Sequence, residues 1–507
     1  MPRTPLYSAL RQIARSAAPP VGRRAVLGGI GATMAAAVVP AVVPARAATH
    51  ARVAVVGAGL AGLSATWALK QAGTRATLFE GSTRLGGRCW SIRDVFANGQ
   101  IAEHGGEFID SGHDAIRALV TELGLQLDDV LAAQPAGTMP LYWFDGAPYR
   151  FADAQADYVP VYPIVQRQYA VLGNVDYHAP TPAAVALDAI TVAQWVAKYV
   201  PGGRASRFGQ LVEHAVTEEL AADTDQLSAI NVLYLFSADT QTGFDLYYPG
   251  SDQRFHVRGG NDQIVTRLAA RLDGQIQTGT ALNAITRLPD GTFRLRFSRD
   301  ETALERTFDR VILALPFSVM RVSVDYSRAG FKPLKQRAIR QLGMGRSVKF
   351  QMQFERRIWN ALGCTGEIRL PSPLFQTTWE PTRAQRGPLG VLNFWSGGRQ
   401  ATRSGQLAIP ELAERCFADS RVLLPGLRSA WNGKVTRDAW AHNPWSHGSY
   451  AYPPLGYLTQ VSGVEPEPEG NCFFAGEHTY VQQTGYLNSG VASGQRAAQE
   501  VIASIAG

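Results

Sequence analysis

Cysteine is scarce in this 507-residue chain, and what little there is lies far apart. Cys89, Cys364, Cys416 and Cys472 form no C-x-x-C pair, which argues against a structural zinc site, so no metal is assigned and buried free thiols are expected. Acidic residues are absent from positions 1–47, where six arginines stand. With those six set aside, 43 basic residues face 42 acidic ones, so the body is near neutral despite a formal charge of +7. That balance gives no reason to expect nucleic acid as a partner. Beyond position 43 there is no uncharged apolar run long enough to span a bilayer. What is present in quantity is hydrophobic residues, 46% of the chain, and glycine, 50 in all. A chain of this length and mixture predicts two or three globular units.

Arg23-Arg24 precedes an uncharged Ala/Gly-rich stretch, Ala25 to Val43, and then Ala45-Arg46-Ala47, a small-x-small cleavage pattern. This resembles a twin-arginine export signal over 1–47. A membrane-anchoring helix is the competing reading. The resemblance implies passage through the twin-arginine translocase to the periplasm or the exterior, already folded and carrying any bulky cofactor.

Arg52-Val-Ala-Val-Val56 is a β-branched run that leads into Gly57-Ala58-Gly59-Leu60-Ala61-Gly62 and a helix from Leu63 to Ala72. The glycines let the backbone turn tightly beside a pyrophosphate, whose charge meets the unsatisfied N–H groups of the helix start. A second strand, Ala76 to Glu80, ends in a carboxylate 18 residues after Gly62, near the separation at which an acid holds a ribose hydroxyl. Strand, glycines, helix, strand and acid in this order predict a dinucleotide site. Arg84-Leu-Gly86-Gly87-Arg88 resembles the extension that runs beneath the pyrophosphate in large flavoproteins, which selects FAD. Arg88 is the candidate for neutralising phosphate charge.

Near the other end, Asn471 to Ala475 reads as a buried strand, followed by Gly476-Glu477-His478-Thr479 and a helix after Gly485-Tyr486. The start of that helix can favour negative charge on a reduced flavin.

Together these blocks resemble the flavin-dependent amine oxidase family, which includes monoamine, polyamine and L-amino acid oxidases. The likeness spans 52–119, 254–316, Lys349 and 440–498. It implies an α/β fold: a Rossmann-like FAD-binding domain assembled from 48–110, 250–325 and 440–507, and a mixed α+β substrate domain from 111–249 and 326–439. The reaction implied is oxidation of an amine to an imine by hydride transfer to flavin N5, then hydrolysis to an aldehyde, with O2 as acceptor and hydrogen peroxide as product. Lys349 matches the family lysine that aids the reaction with oxygen. Tyr450 and Tyr486 match two walls of an aromatic cage for the amine nitrogen. Ser449 stands where monoamine oxidases carry a flavin-linking cysteine, so the FAD is expected to be non-covalent. Trp440, Gly105, Gly106, Glu107, Leu282, Gly476 and Glu477 fall at further cofactor positions. Asp110 has two readings, a loop cap or a carboxylate that receives a distant ammonium of the substrate. Phe108 and Tyr486 depart from the L-amino acid oxidase pattern, though that activity and a C–C desaturase or protoporphyrinogen-oxidase-like activity remain the alternatives. Glu213-His214, Glu218-Glu219 and Tyr247-Tyr248 are read as ordinary helix and loop residues. A homodimer is compatible with all of this.

Overall fold

The computed structural model describes residues 51–236 and 252–506. The leader and Tyr247-Tyr248 lie outside the described residues. Its centre is a five-stranded parallel sheet in the order Cys472–Phe474, Arg310–Leu313, Val53–Val56, Ala76–Phe79, Ile276–Gln277. Strands from the start, middle and end of the chain thus lie side by side, and the α/β domain is discontinuous, as expected. The expected strand at Arg52–Val56 begins at Val53 and the expected helix at Leu63 begins at Leu60.

Successive side chains of a strand point to opposite faces, and here each face meets a different layer. Val53, Val55, Leu78, Ile312 and Phe473 pack with the helices Leu60–Gln71 and Leu487–Ala506. Ala54, Val56, Phe79, Val311, Leu313 and Phe474 instead share a core with Leu282, Ile285, Phe293 and Phe297. Those residues belong to a four-stranded sheet, Thr302–Phe308, Phe293–Arg299, Ala281–Arg287, Asp325–Arg328. Burial on both sides explains why the parallel strands read as continuous apolar runs.

The two helices approach closely because their contact is made of small residues. A Cβ at Gly494 would fall 2.2 Å from the Ala61 carbonyl oxygen, and one at Gly62 would fall 1.8 Å from that of Gly57. Gly494 therefore lets the last helix dock on the first, while Gly62 lets the first helix close on its own turn.

A second, seven-stranded sheet runs Trp431–Ala439, Ser347–Phe354, Gly390–Gly397, Thr377–Trp379, Cys364–Arg369, Met139–Phe144, Ala147–Pro148. Helices between 151 and 236 form a separate core around Tyr158, Trp195, Phe208 and Phe236. All four cysteines are buried and unbridged. Among the described residues no helix is long and apolar enough to cross a membrane, and no group of three or more His, Cys, Asp or Glu is placed to hold a metal ion.

Candidate active site

The two sheets enclose a cavity of about 500 Å3, within the usual range for small-molecule sites. Its lining draws on residues from 56 to 490. Gly57, Gly59, Ala61, Glu80, Arg84, Gly87 and Arg88 form one end, with Leu282 from the four-stranded sheet. Gly62 does not line the cavity, because its place is under the Gly57 carbonyl. Gly57 has φ +100°, a region glycine enters without strain. The helix Leu60–Gln71 starts at Gly59 with no side-chain cap and no acid in its first turn. Its leading N–H groups have no intrahelical acceptor, so this end suits an anion. Glu80 holds its place by accepting the Ala58 N–H at 2.7 Å and the Ser82 N–H at 2.9 Å. A glycine-lined cradle, an uncapped helix start and a fixed carboxylate at a strand end fit the phosphates and ribose of FAD.

Both arginines of the Arg84–Arg88 turn line the cavity and are also held by the protein. Arg84 donates to the Leu85 and Gly87 carbonyls at 2.9 and 2.7 Å, bracing its own turn, and lies 4.3 Å over the Trp90 ring. Arg88 donates to Glu477 Oε1 at 2.7 Å and to the Ser449 carbonyl at 2.8 Å. It joins three distant segments at the cavity wall. The same Glu477 oxygen accepts the Ala451 N–H at 3.0 Å.

Gly105 and Gly106 line the middle, and both are required by packing. A Cβ at Gly105 would meet the Arg88 carbonyl oxygen at 1.9 Å, and one at Gly106 would meet Leu487 Cδ2 at 2.6 Å. Trp440 is buried and donates to the His104 carbonyl at 2.9 Å. Gly476 and Glu477 close the wall from the carboxy-terminal side.

Lys349 lies in a strand, Ser347–Phe354, whose eight residues are all buried. The strand is interior to its sheet and covered on both faces. Its ammonium donates to Glu107 Oε2 at 2.6 Å, to the Glu103 carbonyl at 2.7 Å and to the Gly105 carbonyl at 3.3 Å. Glu107 in turn accepts Trp379 Nε1–H at 2.9 Å. In the antiparallel register Lys349 lies opposite Trp395, and Trp395 opposite Thr377, two residues before Trp379. Period-two geometry thus puts Lys349, Trp395 and Trp379 on one face of the sheet, and all three line the cavity.

Tyr450 and Tyr486 line the same cavity as Lys349 although Tyr486 stands 137 positions beyond it. The Tyr450 hydroxyl donates to the Glu218 carbonyl at 3.0 Å. Tyr486 meets His113 edge-on, with ring centroids 5.0 Å apart. Burial lowers His113 to about 3, so the imidazole is neutral and adds no positive charge beside the phenol. Asp110 also lines the cavity and is 1% exposed. Its Oδ1 accepts the Gln253 N–H at 2.7 Å, and Oδ2 lies 3.4 Å from His113 Nε2. The capping task is therefore present, in the residue that was also read as an ammonium acceptor.

Glu218, read in the sequence as ordinary, lines the cavity and backs onto a buried ion triad. Arg369, 0% exposed, forks onto both Glu218 oxygens and reaches Glu367 Oε1 at 3.1 Å. Burial pushes the Glu218 carboxyl up to about 7 against the pull of Arg369, and burial also raises Glu367. Burial opposes the Arg369 charge, but the two carboxylates outweigh it and raise its pKa. Trp379, Trp395 and Glu218 were missed because each is brought in by strand pairing or helix packing that no local pattern encodes.

The parallel sheet, the cradle between its strand ends and the opposing sheet define a dinucleotide-binding flavoprotein. The model of the flavin containing amine oxidoreductase family matches residues 60–502, and the chain belongs to that family. It is accordingly an FAD-dependent amine oxidoreductase. The flavin-containing amine oxidase A of Sus scrofa is 25% identical over 470 residues, covering 89% of this chain and 84% of the relative. A flavin-containing amine oxidase of Danio rerio is 24% identical, covering 89% and 85%. Two solved structures share the fold. Putrescine oxidase bound to putrescine has TM-score 0.75 at 20% identity, covering 89% of this chain and 99% of that one. Cyclohexylamine oxidase from Brevibacterium oxydans IH-35A also has TM-score 0.75 at 20% identity, covering 90% and 100%.

Proposed function

We propose that this protein is an exported oxidase that converts an amine with an apolar body to the imine, releases the aldehyde and nitrogen product after hydrolysis, and passes the electrons to O2 as hydrogen peroxide. The bound FAD supplies the two-electron acceptor for the hydride leaving the carbon next to nitrogen. The protein's part is to hold a neutral amine in line with that acceptor and keep water out. Tyr450 and Tyr486 present ring faces to the nitrogen, and neutral His113 behind Tyr486 leaves that end free of repelling charge. Lys349, pinned by Glu107 and two carbonyls in the cavity wall, would hold its N–H groups toward a bound flavin and aid the reaction with oxygen.

The single observation that carries the reading is that Lys349, Tyr450 and Tyr486, from three distant segments, line one cavity with the glycine cradle. The carboxylates near the amine end are already engaged, Asp110 with the Gln253 N–H and Glu218 with Arg369. Phe108, Trp379 and Trp395 supply the remaining wall. This composition favours an apolar or aromatic tail over a second ammonium, and Phe108 offers no clamp for a substrate carboxylate. Ser449 supports non-covalent FAD, since its hydroxyl is already donated to the Gly345 carbonyl at 3.0 Å. Passage through the twin-arginine translocase rests on the Arg23-Arg24 leader.

The test is anaerobic bleaching of the purified yellow protein by a panel of arylalkyl monoamines, diamines and L-amino acids, with peroxide read after oxygen is admitted. Bleaching by the monoamines first is expected. Bleaching by no amine overturns the proposal, and bleaching by diamines or amino acids alone overturns its substrate class. Acid precipitation should leave the flavin in solution.

A further inference from the structure

Trp445 is 45% exposed, yet it lines the same cavity as the buried flavin-site residues. A lone exposed indole is ordinary on a protein surface, but this one is seated. Gly81 directly follows Glu80, and a Cβ at Gly81 would lie 2.4 Å from Trp445 Cζ3 and 2.9 Å from Cη2. The ring therefore rests on the Gly81 backbone, in space that only glycine leaves free. The turn that carries it is pinned on both sides. Asn443 Oδ1 accepts the Trp445 N–H at 2.9 Å, and the Asn443 carbonyl accepts the Ser446 and His447 N–H groups at 3.2 and 2.8 Å. Beyond it, the Ser446 carbonyl accepts the Ser318 hydroxyl at 2.6 Å.

We propose that Trp445 closes the adenosine end of the FAD site, its indole covering the adenine and ribose from solvent. The inference rests on the FAD reading of the cavity. In a sheet of this kind the acid at the end of the second strand marks the ribose, and Trp445 sits on the residue after that acid. The Glu80 and Ser82 carbonyls accept the Thr280 and Gly279 N–H groups at 2.7 and 2.9 Å, which brings the strand bearing Leu282 to the same turn. Ser82, Leu282 and Trp445 all line the cavity, so an adenine seated there would meet an apolar side chain and an aromatic one. Aromatic contact of this sort adds affinity without reading the base. The run from Trp440 to Tyr450 then lines the site along its length, with Trp445 at the adenosine end and Tyr450 at the amine end.

The test uses the holoenzyme and its Trp445→Ala, Trp445→Phe and Gly81→Ala variants. FAD release after dilution is followed by the rise of free-flavin fluorescence, and the emptied proteins are then titrated with FAD and with FMN, which lacks the adenosine. Trp445→Ala should release FAD faster by on the order of tenfold, and Gly81→Ala should do so too by lifting the ring. Trp445→Phe should stay near wild type. The loss should appear for FAD and not for FMN. Equal weakening for both flavins, or unchanged FAD release in both Trp445→Ala and Gly81→Ala, overturns the proposal while leaving the FAD reading standing. A wild-type protein that takes up no FAD overturns both.

Discussion

The two ends of the cavity are built from different materials. At the adenosine and phosphate end, backbone does most of the contacting: Gly57, Gly59 and Gly87, an uncapped helix start, and one carboxylate fixed by two N–H groups. At the amine end the wall is side chain, with Tyr450, Tyr486, Trp379, Trp395 and Phe108 delivered from separate strands and loops. The first end is intolerant of added atoms, and Glu80, the two arginines, Leu282 and Trp445 add side chains to its glycine and backbone lining. The second is backed by a buried ionic frame and, on the proposed function, is where the identity of the side chain decides the reaction. Damage at the first end should thus be lost protein or lost flavin, damage to the aromatic wall of the second should be lost turnover, and damage to its ionic frame should be lost stability.

The strongest test of the contrast is Gly62→Val. With 1.8 Å between the new Cβ and the Gly57 carbonyl oxygen, the strand–turn–helix cannot close, and no soluble yellow protein is expected. A normal yield of flavin-loaded protein would break the account of the first end. Next is Arg369→Met, which strands two buried carboxylates and should cost about 3–5 kcal/mol in denaturant unfolding. Unfolding at wild-type denaturant concentration would show that the triad is not the frame of the second end.

Tyr450→Ala and Tyr486→Ala should each lower kcat/KM on the order of 100-fold, about 2.7 kcal/mol, with flavin content retained. The double replacement by Phe keeps both ring faces and should cost only a few-fold. If Ala at either position leaves turnover intact, the cage is not there. Lys349→Met should slow reoxidation by O2 about tenfold while anaerobic reduction by amine stays within about twofold. Equal slowing of both half-reactions, measured by stopped flow, would turn Lys349 into a packing residue.

A further effect is expected on the pH dependence of stability. Glu218 has a folded-state pKa of about 7 against an ordinary value of 4.5, so the folded state holds its proton more tightly than the unfolded one. Its contribution is fully present below about 4.5 and is lost as pH rises through 7. Glu218→Gln should flatten the slope of unfolding free energy between these limits. An unchanged slope would assign the pH dependence elsewhere.

The first end was legible because its physics is local. A β-branched strand, three glycines, a helix and an acid lie within 30 residues from Val53, and each residue type is there for the turn it must make. The second end was legible only where a family pattern supplied register, as for Lys349, Tyr450 and Tyr486. Trp395 faces Lys349 through a strand pairing 46 residues apart in sequence, and nothing in Val-Leu-Asn-Phe-Trp395 announces its partner. The ion pair of Arg88 with Glu477, 389 positions on, was likewise not legible in the sequence.

By itself the chain's order of residues determined a dinucleotide cradle and a family. Only the tertiary structure decided which aromatics wall the amine end, that Arg369 and its two glutamates frame it, and that a half-exposed indole rests on Gly81. Short-range turns and helix starts are set by neighbours along the backbone, whereas a cavity wall is set by whichever distant surfaces hydrophobic burial brings into contact.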